Sequence, residues 1–347
     1  FSTLWKTFLR FFHTMEKYFP QCGKLIAAAG PWLRQKTGTG GADGGRLPGS
    51  QMKEWLTDFT TFRLGGACRE LVTVADAPKA AEVIRGWNAA SVPWRVMGGG
   101  SNLLVADQGI PEAVLRIHSG VPECRREDGL ISVSAGTELD ALARFAAEEG
   151  LAGLEFASGI PGAVGGGVCG NAGAFGTALG DVLERIEVLT RAGEKKTVPR
   201  SALVFGYRAS SLQSTGEVVV RAWFRAAAGD RAQLLARREE TLAARREKHP
   251  DWRALPTAGS FFKNLPPETE GGRRRAAGIY LEQAGAKQMR EGGAYVFPKH
   301  ANIVIAGPGA KAGDVARLAA RMAAAVQEKF GFVLEPEVRY WGEVGEG

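Results

Sequence analysis

Cysteine and histidine are scarce in this chain, which holds four of each in 347 residues. Cys22, Cys68, Cys124 and Cys169 lie far apart and form no C-x-x-C pair, so neither a disulfide framework nor a zinc site is indicated. His13, His118, His249 and His300 are too few for a histidine-rich centre, and no metal is expected. A reducing, cytoplasmic setting follows. Long apolar runs are also missing: nothing reads as a transmembrane helix or a signal peptide, and no stable membrane insertion is expected. No Gly-Lys-Ser or Gly-Lys-Thr follows the glycine-rich stretches, which excludes a P-loop NTPase. No internal repeat is present.

The net charge of +7 hints at nucleic acid but is unevenly placed. Lys6, Arg10, Lys17, Lys24, Arg34 and Lys36 face Glu16 alone, so residues 1–36 carry +5 of it and the rest of the chain only +2. That balance suits anionic small molecules and gives no support for a nucleic-acid groove. Residues 4–12 have the pattern of a short basic amphipathic helix. Residues 37–50 are a glycine-rich stretch of linker composition. Residues 1–50 are therefore expected to be an extension without catalytic role, with Met15 and Met52 as alternative starts.

Charge vanishes altogether in one place. Between Phe156 and Gly180 there is no Lys, Arg, Asp or Glu, and eight of the eighteen residues from 159 to 176 are glycine. So much glycine is entropically costly and is tolerated where backbone must approach something closely. Bare N–H groups are natural donors to a phosphate or a flavin edge. A second such loop, Gly98-Gly99-Gly100-Ser101-Asn102, lies earlier. Gly165, Gly167 and Gly170 match G-x-G-x-x-G, yet Pro161 stands where a strand should lead in, and the residues that follow are too rich in glycine to open a helix. The run reads equally as tight turns packing two elements together or as a cofactor loop.

From Thr60 the pattern alternates. Strands are expected at 71–75, 94–97, 131–135, 186–190, 195–198 and 218–225, the last three with hairpin turns. Helices are expected at 78–89, from a Thr137 cap to Glu149, at 229–248 as a connector with a solvated face, and at 314–330, stopped by Gly331.

Four further segments set polar residues in apolar or glycine surroundings: Gly206-Tyr207-Arg208-Ala209-Ser210, Ala258-Gly259-Ser260-Phe261-Phe262-Lys263-Asn264, Lys299-His300-Ala301-Asn302 and Leu334-Glu335-Pro336-Glu337-Val338-Arg339. Singly, each has a plain structural reading. Arg208 and Glu337 fit a structural ion pair, Ser260 a turn cap and His300 a core histidine. Together and in this order, with Thr61-Phe62-Arg63-Leu64-Gly65-Gly66, Val96-Met97-Gly98-Gly99-Gly100-Ser101-Asn102-Leu103-Leu104 and Gly153-Leu154-Glu155-Phe156-Ala157-Ser158-Gly159-Ile160-Pro161-Gly162, they resemble the UDP-N-acetylenolpyruvoylglucosamine reductase (UDP-N-acetylmuramate dehydrogenase) family. The resemblance runs from about Thr60 to Gly342.

It implies an α+β protein: a two-subdomain flavin fold of the vanillyl-alcohol oxidase (PCMH) type plus a C-terminal α+β substrate domain. The corresponding divisions are 51–118 and 119–228 for the flavin subdomains, 229–333 for the substrate domain and 334–347 for a segment returning to the site. Noncovalent FAD is implied, since neither loop holds a histidine to link it, with NADPH as hydride donor. Gly98, Gly99, Gly100, Ser101, Asn102, Leu103, Ser158, Gly159, Ile160, Gly162, Gly166 and Asn171 would meet the flavin. The substrate would be a UDP-sugar carrying an enolpyruvyl group, reduced in peptidoglycan precursor synthesis. By position, Ser260 resembles the family's proton donor, with Arg208 and Glu337 beside it. Tyr207, Lys263, Asn264, His300 and Arg339 resemble substrate contacts. A monomer is favoured.

Departures from the family pattern, the Gly-Val-Cys-Gly before Asn171 and the Ser-Ser-Leu after Arg208, remove no proposed catalytic group. The short interval between Arg208 and Ser260 resembles the form lacking an inserted tyrosine loop. Two other readings fit the glycine loops: a hydroxyacid or sugar-lactone oxidase of the same fold, and a silent FAD- or UDP-sugar-binding protein. Neither accounts for Ser260, Arg208 and Glu337 standing together.

Overall fold

The structure, a computed structural model, describes residues 54–344. The expectations for 1–50 lie outside the described residues. The first sheet is a small parallel one, built from β1 (Glu70–Val74), a crossover through α1 (Ala77–Ala89), then β2 (Trp94–Met97). Asp76 caps α1 by accepting from the Lys79 N–H at 2.8 Å, and Pro78 opens its first turn. A short strand β3 (Leu103–Val105) follows, and β4 (Ala113–Ile117) inserts between β1 and β2, parallel to both. Sequence reading did not single out β4. Its Ala-Val-Leu-Arg-Ile run lacks the alternation that marks a half-solvated strand, because a central strand is covered on both faces.

The second sheet has five antiparallel strands. Its members are β5 (Cys124–Glu127), β6 (Leu130–Ser134), β7 (Leu183–Leu189), β8 (Lys195–Pro199) and β9 (Val218–Arg225), in the spatial order β8-β7-β9-β6-β5. β7 and β8 form the expected hairpin. β9 pairs with β7 only after an excursion through residues 200–217, so no tight turn joins them. Besides a single turn at Leu179–Val182, two helices pass between β6 and β7. One is α1's successor α2 (Leu139–Glu148); the other is α3 (Val164–Cys169).

One expectation fails here, and one of two open readings is narrowed. Thr137 does not cap α2: its hydroxyl accepts from the Glu123 N–H at 3.1 Å, and Glu138 stands at the N-cap without a side-chain bond. The uncharged glycine run is not a series of turns at its centre. Val164-Gly165-Gly166-Gly167-Val168-Cys169 is helical, although its glycines each disfavour a helix by about 1 kcal/mol relative to alanine. Tertiary packing decides it. A Cβ on Gly165 would stand 2.9 Å from Ala135 Cβ, and one on Gly167 would stand 3.0 Å from the Cδ1 atoms of Leu139 and Leu179. Only glycine lets the turn sit this close to its neighbours.

The long helix α4 (Arg231–Lys248) starts at Asp230, which accepts from the Gln233 N–H. It is more than a solvated connector: Arg238 on its inner face is 9% exposed and donates to both Asp140 carboxylate oxygens at 2.7 Å. The last third of the chain holds α5 (Ala277–Gln283), a small antiparallel sheet of β10 (Arg290–Glu291), β11 (Ala294–Val296) and β12 (Val304–Ala306), and α6 (Ala312–Phe330) against it. Gly331, at φ +77°, ends α6.

One core cluster joins α1, the five-stranded sheet, α2 and α3 around Trp87, Leu142 and Phe224; another gathers Phe261, Phe262, Leu281 and Met322. Finally β13 (Arg339–Trp341) runs back to pair in parallel with β3, opposing Arg339 to Leu103. That return brings the C-terminal segment beside the first glycine loop. Among the described residues no helix is long and apolar enough to cross a membrane.

Candidate active site

The two glycine loops lie against each other. A Cβ on Gly99 would stand 3.1 Å from Gly162 Cα, and one on Gly98 would stand 3.1 Å from Ala163 Cβ. Ser101 Oγ donates to the Pro161 carbonyl at 3.0 Å, clamping the loops together. Gly100 sits at φ +62°, where a Cβ would overlap the Phe59 carbonyl. The backbone amides of Gly99, Gly100, Ser101, Asn102, Gly162 and Ala163 donate to no acceptor among the described residues. Gly166 differs from its helical neighbours, since a Cβ there would meet nothing within 4 Å. The Ser158 hydroxyl is buried without a hydrogen-bond partner. Buried polar groups without partners are rare and costly, so the orphaned Ser158 hydroxyl, together with the unused amides of two touching loops, marks a place shaped for a ligand.

Other residues expected at the cofactor are placed differently. The Gly159 N–H is already committed to Asp140 Oδ1 at 2.8 Å. The Ile160 N–H donates to the Ala157 carbonyl at 3.1 Å, and the Leu103 side chain lies in a core cluster with Met97, Val105 and Trp341. Asn171, at φ +47° and buried, donates from Nδ2 to the Gly206 carbonyl at 2.8 Å and accepts the Gly180 N–H at 2.9 Å. Its side chain thus ties the glycine run to the turn that carries Tyr207 and Arg208.

That turn links two short strands, Phe205–Gly206 and Ala209–Ser210. Arg208 takes its second position at φ +55°, a left-handed conformation that strains a side chain with a Cβ. Its Nε lies 2.7 Å from Glu337 Oε1. The contact is an ion pair without hydrogen-bond alignment, leaving the buried Nε–H with no acceptor in line. Burial pushes the Glu337 carboxyl above the usual carboxylate range, and the Arg208 charge partly offsets that rise.

Glu337 is held from three sides. Its N–H donates to the Phe261 carbonyl at 2.8 Å, its carbonyl accepts from Asn102 Nδ2 at 2.9 Å, and the Arg339 N–H donates to the Asn102 carbonyl at 3.0 Å. Ser260 immediately precedes Phe261, and its hydroxyl makes no hydrogen bond among the described residues. Buried Asn302 fixes the same strand, accepting the Phe262 N–H at 2.9 Å and donating to its carbonyl at 2.8 Å. Three chain segments distant in sequence therefore meet at one point.

The expected substrate residues divide. The Tyr207 hydroxyl accepts the Asn264 N–H at 3.3 Å, and Arg274 lies 3.9 Å over its ring. Lys263 Nζ pairs with Glu335 at 2.5 Å. Arg339 is exposed and forms no ion pair among the described residues. The His300 ring lies 5.6 Å from that of His249, and its Nδ1 accepts the Asn302 N–H at 3.2 Å. Burial lowers the pKa of both imidazoles, that of His249 to about 4.

Comparison with known proteins identifies the family. Residues 69–198 match the FAD binding domain family, and residues 249–341 match the C-terminal domain of UDP-N-acetylenolpyruvoylglucosamine reductase. A protein of that name from Heliobacterium modesticaldum is 38% identical over 293 residues, covering 84% of this chain and 91% of its own. One from Lachnoclostridium phytofermentans is 38% identical over 295 residues, covering 84% and 92%. The crystal structure of the Thermus caldophilus reductase superposes with a TM-score of 0.69 at 35% identity, over 83% of this chain and 98% of that one.

The chain belongs to the UDP-N-acetylenolpyruvoylglucosamine reductase family. Against that background one residue of the site was missed by sequence reading. Arg245, in the last turn of α4, reaches over the second glycine loop: its Nη2 donates to the Phe156 carbonyl at 3.2 Å, and its Cδ would lie 3.0 Å from a Cβ on Gly159. Burial and the nearby Arg208 charge lower its pKa. The signal was present. Leu234, Arg238, Leu242 and Arg245 repeat at helical spacing, so the two arginines share the face of the two leucines.

Proposed function

We propose that this chain reduces the enolpyruvyl group of UDP-N-acetylglucosamine-enolpyruvate to the lactyl ether of UDP-N-acetylmuramate, in peptidoglycan precursor synthesis, with Arg208, Ser260 and Glu337 as the catalytic residues. FAD and NADPH are its cofactors. The observation that supports the residue assignment is the Arg208–Glu337 pair beside a loop pair with unused amide donors, with the Glu337 N–H bonded to the Phe261 carbonyl next to Ser260. The cleft fits a flavin nucleotide held without a covalent bond. The amides of Gly99, Gly100, Ser101, Asn102, Gly162 and Ala163 suit its diphosphate, the Ser158 hydroxyl offers a further bond, and the open face of Gly166 admits a flat ring. When bound, FAD supplies a two-electron carrier between NADPH and the substrate alkene.

Hydride arriving at the terminal alkene carbon leaves an electron pair on the adjacent carbon, spread into its carboxylate. Arg208 neutralises that carboxylate with fixed charge, the kind of stabilisation that is often the largest catalytic contribution. Glu337, whose carboxyl burial pushes toward the protonated form against the Arg208 charge, donates a hydrogen bond to the same group in its protonated state. Ser260 gives its hydroxyl proton to the carbanionic carbon and recovers one from water. Serine is a weak acid, but a held geometry and a basic carbon make the transfer feasible. Tyr207, Lys263, Asn264 and Arg339 bind the UDP-sugar, the arginine through its diphosphate. His300 supports the Asn302 turn behind Ser260.

The reading places the protein in the cytoplasm, acting as a monomer on a small molecule. NADPH oxidation measured with and without the enolpyruvyl UDP-sugar tests it. Turnover should require both ligands, and denaturation followed by filtration should release all the yellow colour. Absence of substrate-dependent NADPH oxidation would refute the function, and colour retained on the protein would refute noncovalent binding.

A further inference from the structure

Ser260 has no sheet to hold it. It makes a single bridge to Ile303, Phe262 makes another to Pro336, and no continuous ladder runs through this segment. Gly259, just before it, sits at φ +76°, and a Cβ there would meet nothing within 4 Å, so the chain could pivot on that side. A hydroxyl that must meet one carbon of a substrate works badly from a pivoting link. A misplacement of about 1 Å costs on the order of 10²-fold in rate.

Two buried side chains supply what a sheet does not. On the N-terminal side stands Thr257, 3% exposed, whose hydroxyl donates to the Val304 carbonyl at 2.7 Å and accepts the Gly259 N–H at 3.1 Å. One oxygen thereby ties the glycine to β12 and removes the pivot. On the C-terminal side stands Asn302, 2% exposed. Its backbone carbonyl accepts the Phe261 N–H at 2.7 Å, while its side chain accepts the Phe262 N–H at 2.9 Å and donates to the Phe262 carbonyl at 2.8 Å. The amide group pairs with Phe262 in both directions at once, as a residue of a neighbouring strand would. From the opposite edge the Glu337 N–H donates to the Phe261 carbonyl at 2.8 Å, so the residues that follow Ser260 are also in register with Glu337. Both clasps lead to one firm support, since Ile303 and Val304 are fully buried and Val304 packs in the core with Val315 and Leu318 of α6.

We propose that Thr257 and Asn302 are the positioning residues of the proton transfer. Acting from the two sides of Ser260, they hold its hydroxyl at the carbon that takes the proton and at a fixed distance from Glu337. The assignment rests on the functional reading given above, in which Ser260 is the donor.

Stopped-flow measurement of the two half-reactions in the FAD-loaded enzyme tests it. Thr257→Val keeps the side-chain volume and removes the hydroxyl; Asn302→Ala removes the two-way bond to Phe262. Each should slow flavin reoxidation by the enolpyruvyl UDP-sugar about ten-fold, while flavin reduction by NADPH and the substrate Kd stay within about two-fold. Thr257→Ser restores the hydroxyl and should bring reoxidation back to within about two-fold of the parent. In a Ser260→Ala background neither substitution should change reoxidation by more than about two-fold, since no hydroxyl remains to be placed. A merely structural role would slow both backgrounds alike. Asn302→Ala opens a buried space, and if it fails to hold FAD the contrast between Thr257→Val and Thr257→Ser decides. Reoxidation at the parent rate in Thr257→Val, equal slowing of the two half-reactions, or equal slowing with and without Ser260 would overturn the proposal. Reoxidation of Ser260→Ala at the parent rate would instead refute the functional reading beneath it.

Discussion

Arg208 and Glu337 face each other at 2.7 Å across two segments that meet only through the fold, one on a strained turn and the other just before the strand that returns to pair with β3. Neither residue could reach this position from local structure alone. Asn171 anchors the turn and Asn102 the returning segment, so both glycine loops have a direct part in holding the pair.

The pair sets a pH dependence. Burial raises the Glu337 carboxyl above its ordinary pKa, so the protonated donor form is present at lower pH and is lost as pH climbs through that raised value. The rate of flavin reoxidation by substrate should fall along an alkaline limb. Glu337→Gln, which donates at any pH, should remove the limb. A profile unchanged by this substitution would exclude Glu337 as the titrating group.

Gly165 and Gly166 are neighbours with opposite expected behaviour. Gly165→Ala forces a Cβ against Ala135 and should destabilise the apoprotein by about 1–3 kcal/mol. Gly166→Ala enters open space and should leave apoprotein stability equal or better, by up to about 1 kcal/mol from helix propensity. It should nonetheless weaken FAD. Apoprotein melting and FAD titration of the two variants check the contrast; equal FAD affinity in Gly166→Ala and the parent would show that the flavin does not approach this face.

Asp140 binds Arg238 through both oxygens and also accepts the Gly159 N–H, so it fastens α4 to the second glycine loop. Asp140→Ala leaves the buried Arg238 charge with only the exposed Glu239 carboxylate at 3.3 Å, and a loop amide unpaired. A loss of about 3 kcal/mol is expected, the low end for breaking a buried pair because the Asp140 side chain is partly exposed. Chemical denaturation measures it, and a loss below about 1 kcal/mol would mean that α4 is held chiefly by apolar packing.

His249 provides an acid-sensitive point. Its folded-state pKa is depressed from 6.5 to about 4, so the unfolded chain binds the extra proton first. The stability this neutral imidazole contributes is complete above 6.5 and is lost as pH falls toward 4. His249→Phe should flatten the fall of melting temperature across that window. An identical slope in the variant would assign the acid sensitivity elsewhere.

Much of this was legible in the chain. The strands at 94–97 and 218–225 and the helix ended by Gly331 follow from periodicity and caps, and the order of the polar segments pointed to the site. The helix across Gly165, Gly166 and Gly167 was not legible, because its stability comes from Ala135, Leu139 and Leu179 rather than from its own residues. Thr137 looked like a cap but was taken by the Glu123 amide, a partner from the preceding strand region. Arg245 was hidden among Arg246 and Lys248, cations that any helix C-terminus favours. The uses of Asn171 and Asn102 could not be read from spacing, since each bonds to a carbonyl brought close only by the finished fold.

The most direct test of the account is stopped-flow measurement of the two half-reactions in Ser260→Ala. Flavin reduction by NADPH requires no proton on the substrate carbon and should proceed at a near-normal rate. Reoxidation by the enolpyruvyl UDP-sugar should slow by roughly 10²-fold or more, the usual scale for losing a positioned acid, with substrate affinity changed by no more than the about 1 kcal/mol of one hydroxyl. A reoxidation rate equal to that of the parent enzyme would contradict the assignment of Ser260 as the proton donor.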